Sequence, residues 1–321
     1  MKETVKKPYF ILLTAALTLA IAAAVTRTVL VLTALDPTLG HFEPSAATDI
    51  LWPLLIILSV VFCAVFSIVI REELREKKPE NTLPTVFASA FAAISAAVWV
   101  GTQAFEVFRA EGLALPFGIL MLLCAVGLIL YFITAVPNAA ASAPRITACL
   151  SAVLFCTFYL LYSYFDTSFT LNSPVKIFDQ LTFIALTVFF LAECRFLFGK
   201  LRFTLYAPAA LIAATLSLTS ALPALVYRIA EERSLIGTDA HAFLMLAFFL
   251  YAAARLAAAV ERPRKEEAPC SAYEEEIREK AEAALLSVEL PLTDPNQEVF
   301  DIDGTDTNSS DDSDGDTDGG N

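Results

Sequence analysis

Carboxylates, amides and both histidines of this chain gather in the loops that follow its odd-numbered apolar stretches. They are Asp36, His41, Glu43, Asp49, Gln103, Glu106, Asp166, Asp179, Gln180, Asp239 and His241. Side chains of these types, brought together from several loops, could ligate a metal or orient a small polar solute. The spacing does not favour a metal: neither H-x-x-x-H nor H-E-x-x-H occurs. Solvated loops and helix caps account for most of the set. What remains as a candidate ligand-binding group is Asp36, Asp49, Asp166, Asp179 and Gln180, which flank two loops of equal spacing. No metal ligand and no catalytic residue is assigned. No cofactor motif is present, and no G-x-S-x-G points to a serine nucleophile.

A second group stands inside apolar stretches: Arg27, Glu193 and Arg255, with Arg195 close by. Ionised groups in hydrocarbon are costly and mark function by default. Each of these lies close enough to a span end to snorkel toward water, which is the favoured reading. The alternative is a buried pair, Glu193 with Arg255. No acid falls clearly at mid-membrane, which argues against a proton-coupled pump.

The elements that must position these residues are long and apolar. Of 321 residues, 57% are hydrophobic, and the mean hydropathy is +0.63. A membrane span needs about 20 apolar residues. Eight are read: Tyr9–Ala34, Ile50–Ile70, Leu83–Gln103, Ala114–Val136, Ile146–Phe165, Pro174–Phe198, Phe203–Tyr227 and Ala240–Val260. All are expected to be helical, because lipid-exposed backbone must satisfy its own hydrogen bonds and no barrel-type alternation is seen. The fold class is therefore all-α, a polytopic helical membrane protein. The first stretch has a basic start and small residues at Ala22–Ala24, but its apolar run is too long for a cleaved signal peptide.

Lysine and arginine set the topology. Segments at both termini and after even-numbered spans hold 14 bases, Lys2 through Lys265, whereas Arg109, Lys176, Arg228 and Arg233 are the 4 on the other side. Both termini are expected in the cytoplasm, with the protein in the bacterial inner membrane. The net charge of −13 is misleading, since 261–321 holds 19 acids and 5 bases and leaves the membrane part near +1. No basic field for nucleic acid exists. The lipid bilayer is the expected partner. The six cysteines lie in spans or in the tail (Cys270), so no disulfide framework is implied.

Two halves, 1–136 and 146–260, share features. Asp36 and Asp49 are spaced as Asp166 and Asp179 are, and Ala88/Ala92/Ala96 matches the small-residue stripe Ala209/Ala213/Ser217/Ala221. An even-helix duplication would give two parallel four-helix repeats. Asn172-Ser173-Pro174 is a strong helix start, and Ser45 can cap the second span. Asp49 and Asp179 then fall in first turns, where a carboxylate complements the helix dipole.

Beyond Val260 the composition changes. Ser271–Glu274 reads as a capping box, and Tyr273, Ile277, Ala281, Leu285 and Val288 form an apolar stripe ended by Pro291. This gives a cytoplasmic linker and amphipathic helix over 261–290, suited to a protein partner. The acidic segment 291–321 cannot build a core and is expected to be disordered. Asp314, Asp316, Asp318 and Gly319 open like a calcium loop, but the chain ends before the bidentate glutamate. The leading functional expectation is a non-enzymatic sensor or scaffold. The runner-up is a transporter of a small apolar or zwitterionic solute, and an outer-face enzyme ranks third.

Overall fold

Thr82 ends extended chain and starts a helix: its backbone N–H donates to Thr85 Oγ1 at 2.7 Å, closing a capping box with Pro84 in the first turn. Ser173 stands at the same place before Pro174, as the sequence predicts. Such starts, followed by apolar runs, produce the spans. The computed structural model describes residues 7–36, 41–43, 48–75, 77–79, 82–135, 143–165, 173–198, 203–232, 235 and 238–261. Asp166, the helix read at Ser271–Val288 and the acidic tail lie outside the described residues.

Among the described residues, eight helices are long and apolar enough to cross a membrane. They are α1 (Lys7–Ala34), α2 (Thr48–Val69), α4 (Leu83–Val107), α5 (Ala114–Ala135), α6 (Ala143–Phe165), α7 (Pro174–Leu197), α8 (Phe203–Glu231) and α9 (Asp239–Ala257). A short helix, α3 (Arg71–Arg75), follows α2. The chain is an α-helical multi-pass membrane protein. Two small antiparallel ladders interrupt the helical pattern. β1 (Leu35–Asp36) pairs with β2 (His41–Phe42), and β3 (Lys77–Pro79) pairs with β4 (Ala259–Glu261). The last span therefore ends at Ala257, earlier than hydropathy suggests, and its final apolar residues enter a ladder.

With eight crossings, the start of α1 and the end of α9 share one face, the terminal face. Tyr9 at the start of α1 donates to the Leu256 carbonyl at 2.8 Å. The opposite, distal face joins the end of α4 to the start of α9, through Thr102 and Thr238 hydroxyls 3.2 Å apart.

Six helices close a ring of neighbours, in the order α4, α5, α6, α7, α8, α9 and back to α4. α1 packs outside it against α8, and α2 packs on α1 and α8. The ring interior is filled with aromatic side chains, among them Phe132, Phe155, Phe183, Phe189, Phe190 and Tyr251, all fully buried. Edge-to-face rings about 5–6 Å apart, the favoured aromatic geometry, run through it; Phe132–Tyr251 is 5.0 Å and Phe190–Phe248 is 5.7 Å. α5 and α6 approach so closely at Gly127 that a Cβ there would meet Ser151 Cβ at 2.3 Å. Small residues at such crossings let backbones touch.

α8 is the most enclosed span, with 72% of its apolar window buried, against 24% for α2. It contains Pro208 and Pro223. Proline has no N–H, so the carbonyl four residues earlier loses its helical donor. For Pro223 that carbonyl belongs to Thr219. Arg27 of α1 fills the vacancy: its Nη1 donates to the Thr219 carbonyl at 2.6 Å. A buried arginine thus docks α1 onto α8 at the turn before Pro223. If this is its role, Arg27→Met destabilises the protein, and Pro223→Ala reduces that penalty by about 1 kcal/mol, the scale of membrane hydrogen bonds. Reversible unfolding in lipid–detergent mixtures over the four-variant cycle measures it; strict additivity would contradict it.

Candidate functional site

α7 and α9 both run from the distal to the terminal face, with α8 between them. α7 carries two acids, Asp179 and Glu193, and α9 carries two basic groups, His241 and Arg255. In each helix the spacing is 14 residues. At 3.6 residues per turn this returns nearly to the same face, about 21 Å farther along. The two helices are therefore joined twice in the same register across the ring.

The rung near the terminal face is an ion pair. Arg255 Nε lies 3.0 Å from Glu193 Oε1, and Arg255 Nη2 donates to Oε2 at 3.2 Å. The side chains are 2% and 1% exposed, so neither reaches water. Tyr206 of α8 donates its hydroxyl to Glu193 Oε1, and the Arg255 guanidinium lies 5.3 Å from the Phe196 ring centre. Next to this pair, the Tyr131 and Tyr251 hydroxyls are 2.7 Å apart. Cys149 of α6 donates to the Phe190 carbonyl at 3.7 Å.

The distal rung joins Asp179 and His241. His241 Nε2 lies 2.9 Å from Asp179 Oδ1, and the Tyr159 hydroxyl donates to Oδ2 at 2.6 Å. Rings stack around it: Tyr159 on Phe183 at 3.7 Å and Tyr159 on His241 at 5.7 Å. Trp99 packs on Tyr159 from α4 at 6.2 Å. Arg27 belongs to the same end of the bundle. Its guanidinium lies 3.8 Å from the Phe178 ring centre and 5.7 Å from that of Trp52.

Arg27, Glu193 and Arg255 do not snorkel: all are 1–2% exposed, inside the bundle. The physical reason is that each finds a partner on a neighbouring helix, so reaching for water gains nothing. The alternative reading, a Glu193–Arg255 pair, is the observed one. Asp179 sits inside the ring as an acceptor for two side chains, where the sequence suggests a dipole-facing residue. His241 is likewise interior and not a loop residue. Gln180, next along α7, is half-buried. Asp36 stands in β1 opposite His41. Asp49 lies in the first turn of α2, and its side chain is outside the described residues. Among the described residues, no three His, Cys, Asp or Glu side chains come together as a metal site.

Tyr159, Tyr206 and the Tyr131–Tyr251 pair were not singled out by the sequence, because a tyrosine's hydrogen-bond partner depends on which helix it faces. The repeated 14-residue spacing was a usable signal for the rungs themselves. Compared with known proteins, the chain matches no family model, no curated protein and no solved structure.

Two hydrogen-bonded rungs flanking an aromatic centre hold α7 and α9 in fixed register. A buried acceptor stripped of its charge strands its partners, at roughly 3 kcal/mol or more. Asp179→Asn is therefore expected to lower unfolding stability by about that much, and Glu106→Gln, at an exposed surface site, by well under 1 kcal/mol. Thermal or denaturant unfolding of both variants in one lipid system checks the difference; equal effects would contradict it.

Proposed function

We propose that this chain is a non-enzymatic membrane sensor or scaffold in which α9 links the distal face to the cytoplasmic segment 262–321. One observation carries the reading: α9 is pinned at both ends to the same helix, at His241 and at Arg255, and then runs through β4 toward that segment. A change at the distal rung has a rigid, in-register route to the terminal face. The acidic composition of 261–321 suits a protein partner with a basic surface.

The base asymmetry supports cytoplasmic termini and the bacterial inner membrane as the location. The duplication reading gains little from the packing, since α7 packs on both α6 and α8 while its counterpart α2 meets α1 and α8. A transporter of a small apolar or zwitterionic solute is the competing reading. The prolines of α8 favour it, and the closely packed aromatic centre weighs against it.

Cys270 provides the test, because the other five cysteines lie within helices and are buried or half-buried. A water-soluble maleimide will label Cys270 first. In native membranes, Asp179→Asn and His241→Gln are expected to change that labelling rate several-fold, whereas Glu106→Gln is not. Partners that co-purify with the full chain are expected to be lost on deleting 262–321. Unchanged labelling in both distal-rung variants, with an unchanged set of partners after the deletion, would overturn the proposal.

A further inference from the structure

α6 and α7 run antiparallel and pack against each other. Their register is set where Tyr159 stacks on Phe183, with ring centres 3.7 Å apart. Cys149 stands ten residues back along α6 from this stack, and Cys194 eleven residues on along α7. At 1.5 Å of rise per residue these steps cover about 15 and about 16.5 Å, so the two cysteines arrive at one height. Between the two levels, Cys156 of α6 meets Thr187 of α7 in a side-chain hydrogen bond, as that register requires.

A second contact fixes the direction of the side chain. Cys149 donates its thiol to the Phe190 carbonyl at 3.7 Å. In the helical ladder that same carbonyl serves the backbone N–H four residues on, which is that of Cys194. The two cysteines therefore meet at one turn of α7, and their thiols are hydrogen-bonded to each other. Cys149 is 0% and Cys194 5% exposed. Both are free thiols, and among the described residues no third metal-binding side chain joins them. A metal held by these two alone would need both as thiolates, which leaves negative charge in an apolar interior. A disulfide is neutral and suits that interior.

We propose that Cys149 and Cys194 form a redox-active dithiol, closed to a disulfide by a small uncharged oxidant of the peroxide class. Enclosure of both sulfurs keeps out bulky or charged oxidants and leaves room for a molecule the size of hydrogen peroxide. Cys194, the more exposed of the two, attacks one peroxide oxygen. The O–O bond breaks, the sulfur is oxidised to a sulfenic acid, and the thiol proton leaves in a first water. Cys149 then displaces the hydroxyl: the S–S bond forms, the S–O bond breaks, and the second thiol proton leaves in a second water. Two thiols have lost two electrons, and one peroxide has become two waters. The bridge fastens α6 to α7 one residue from Glu193. It stands independently of the sensor reading, since neither thiol belongs to a rung.

The test uses the full chain carrying Cys270→Ser, which removes the tail thiol, in lipid nanodiscs. Reduced protein is treated with hydrogen peroxide, remaining thiols are alkylated under denaturing conditions, and linked peptides are identified by mass spectrometry. A Cys149–Cys194 link is expected, with both thiols recovered on adding dithiothreitol. Cys149→Ser and Cys194→Ser are each expected to abolish it, and Cys156→Ser to leave it intact. Thr187→Cys places a thiol opposite Cys156 and reports the register separately. A link from that new thiol to Cys156, without one between Cys149 and Cys194, would show correct packing with an inert native pair and overturn the proposal. No Cys149–Cys194 link in any variant, or links spread equally over Cys63, Cys124 and Cys156, would overturn it as well.

Discussion

A charge inside a bilayer has to be answered by another polar group, and that constraint organises this molecule. Water is out of reach for Glu193 and Arg255, each almost fully enclosed. Their mutual contact, with Tyr206 on the same carboxylate, is what makes their burial tolerable. Removing either partner alone leaves an uncompensated ion in an aromatic interior, a far larger penalty than the pair is worth as a whole. The pair therefore acts on specificity: it fixes which residues of α7 and α9 face one another. The distal rung does the same for Asp179 and His241, some four turns away, and the two contacts together exclude a slip of one helix along the other.

α8 lies between those helices, and its own irregularity is handled by the same rule. Pro223 removes a donor from the Thr219 carbonyl, and a guanidinium from outside the ring replaces it. The arginine that does so lies against the Phe178 ring. Asp179, for its part, binds α6 and α9 together through Tyr159 and His241. Close backbone approach at Gly127 and ring stacking supply the remaining cohesion, since lipid tails give no hydrophobic drive between helices.

The eight spans were legible because hydropathy over about 20 residues reports bilayer thickness directly. The helix start at Ser173 was legible too, because capping and proline chemistry act locally. The two short ladders were not, since β3 and β4 are far apart in sequence and each is only three residues long. Nor was the burial of Arg27 and Arg255, because snorkelling and inward pairing look alike until the neighbouring helix is known. Equal loop spacing grouped Asp36, Asp49, Asp166 and Asp179. That grouping follows the chain, whereas partnership follows helix faces, and by that criterion Asp179 belongs with His241. The 14-residue interval in both α7 and α9 carried this information, but only a parallel, in-register pairing of the two helices gives it meaning.

α7 and α9 are tied at two levels, each acid to its own partner. Double-mutant cycles over Asp179, His241, Glu193 and Arg255, read as unfolding free energies in one lipid system, test it most directly. Coupling of about 1 kcal/mol or more is expected within Asp179–His241 and within Glu193–Arg255. The crossed pairs Asp179–Arg255 and Glu193–His241 are expected to be additive to about 0.5 kcal/mol. Additivity inside either rung, or equal coupling across the crossed pairs, would contradict the account.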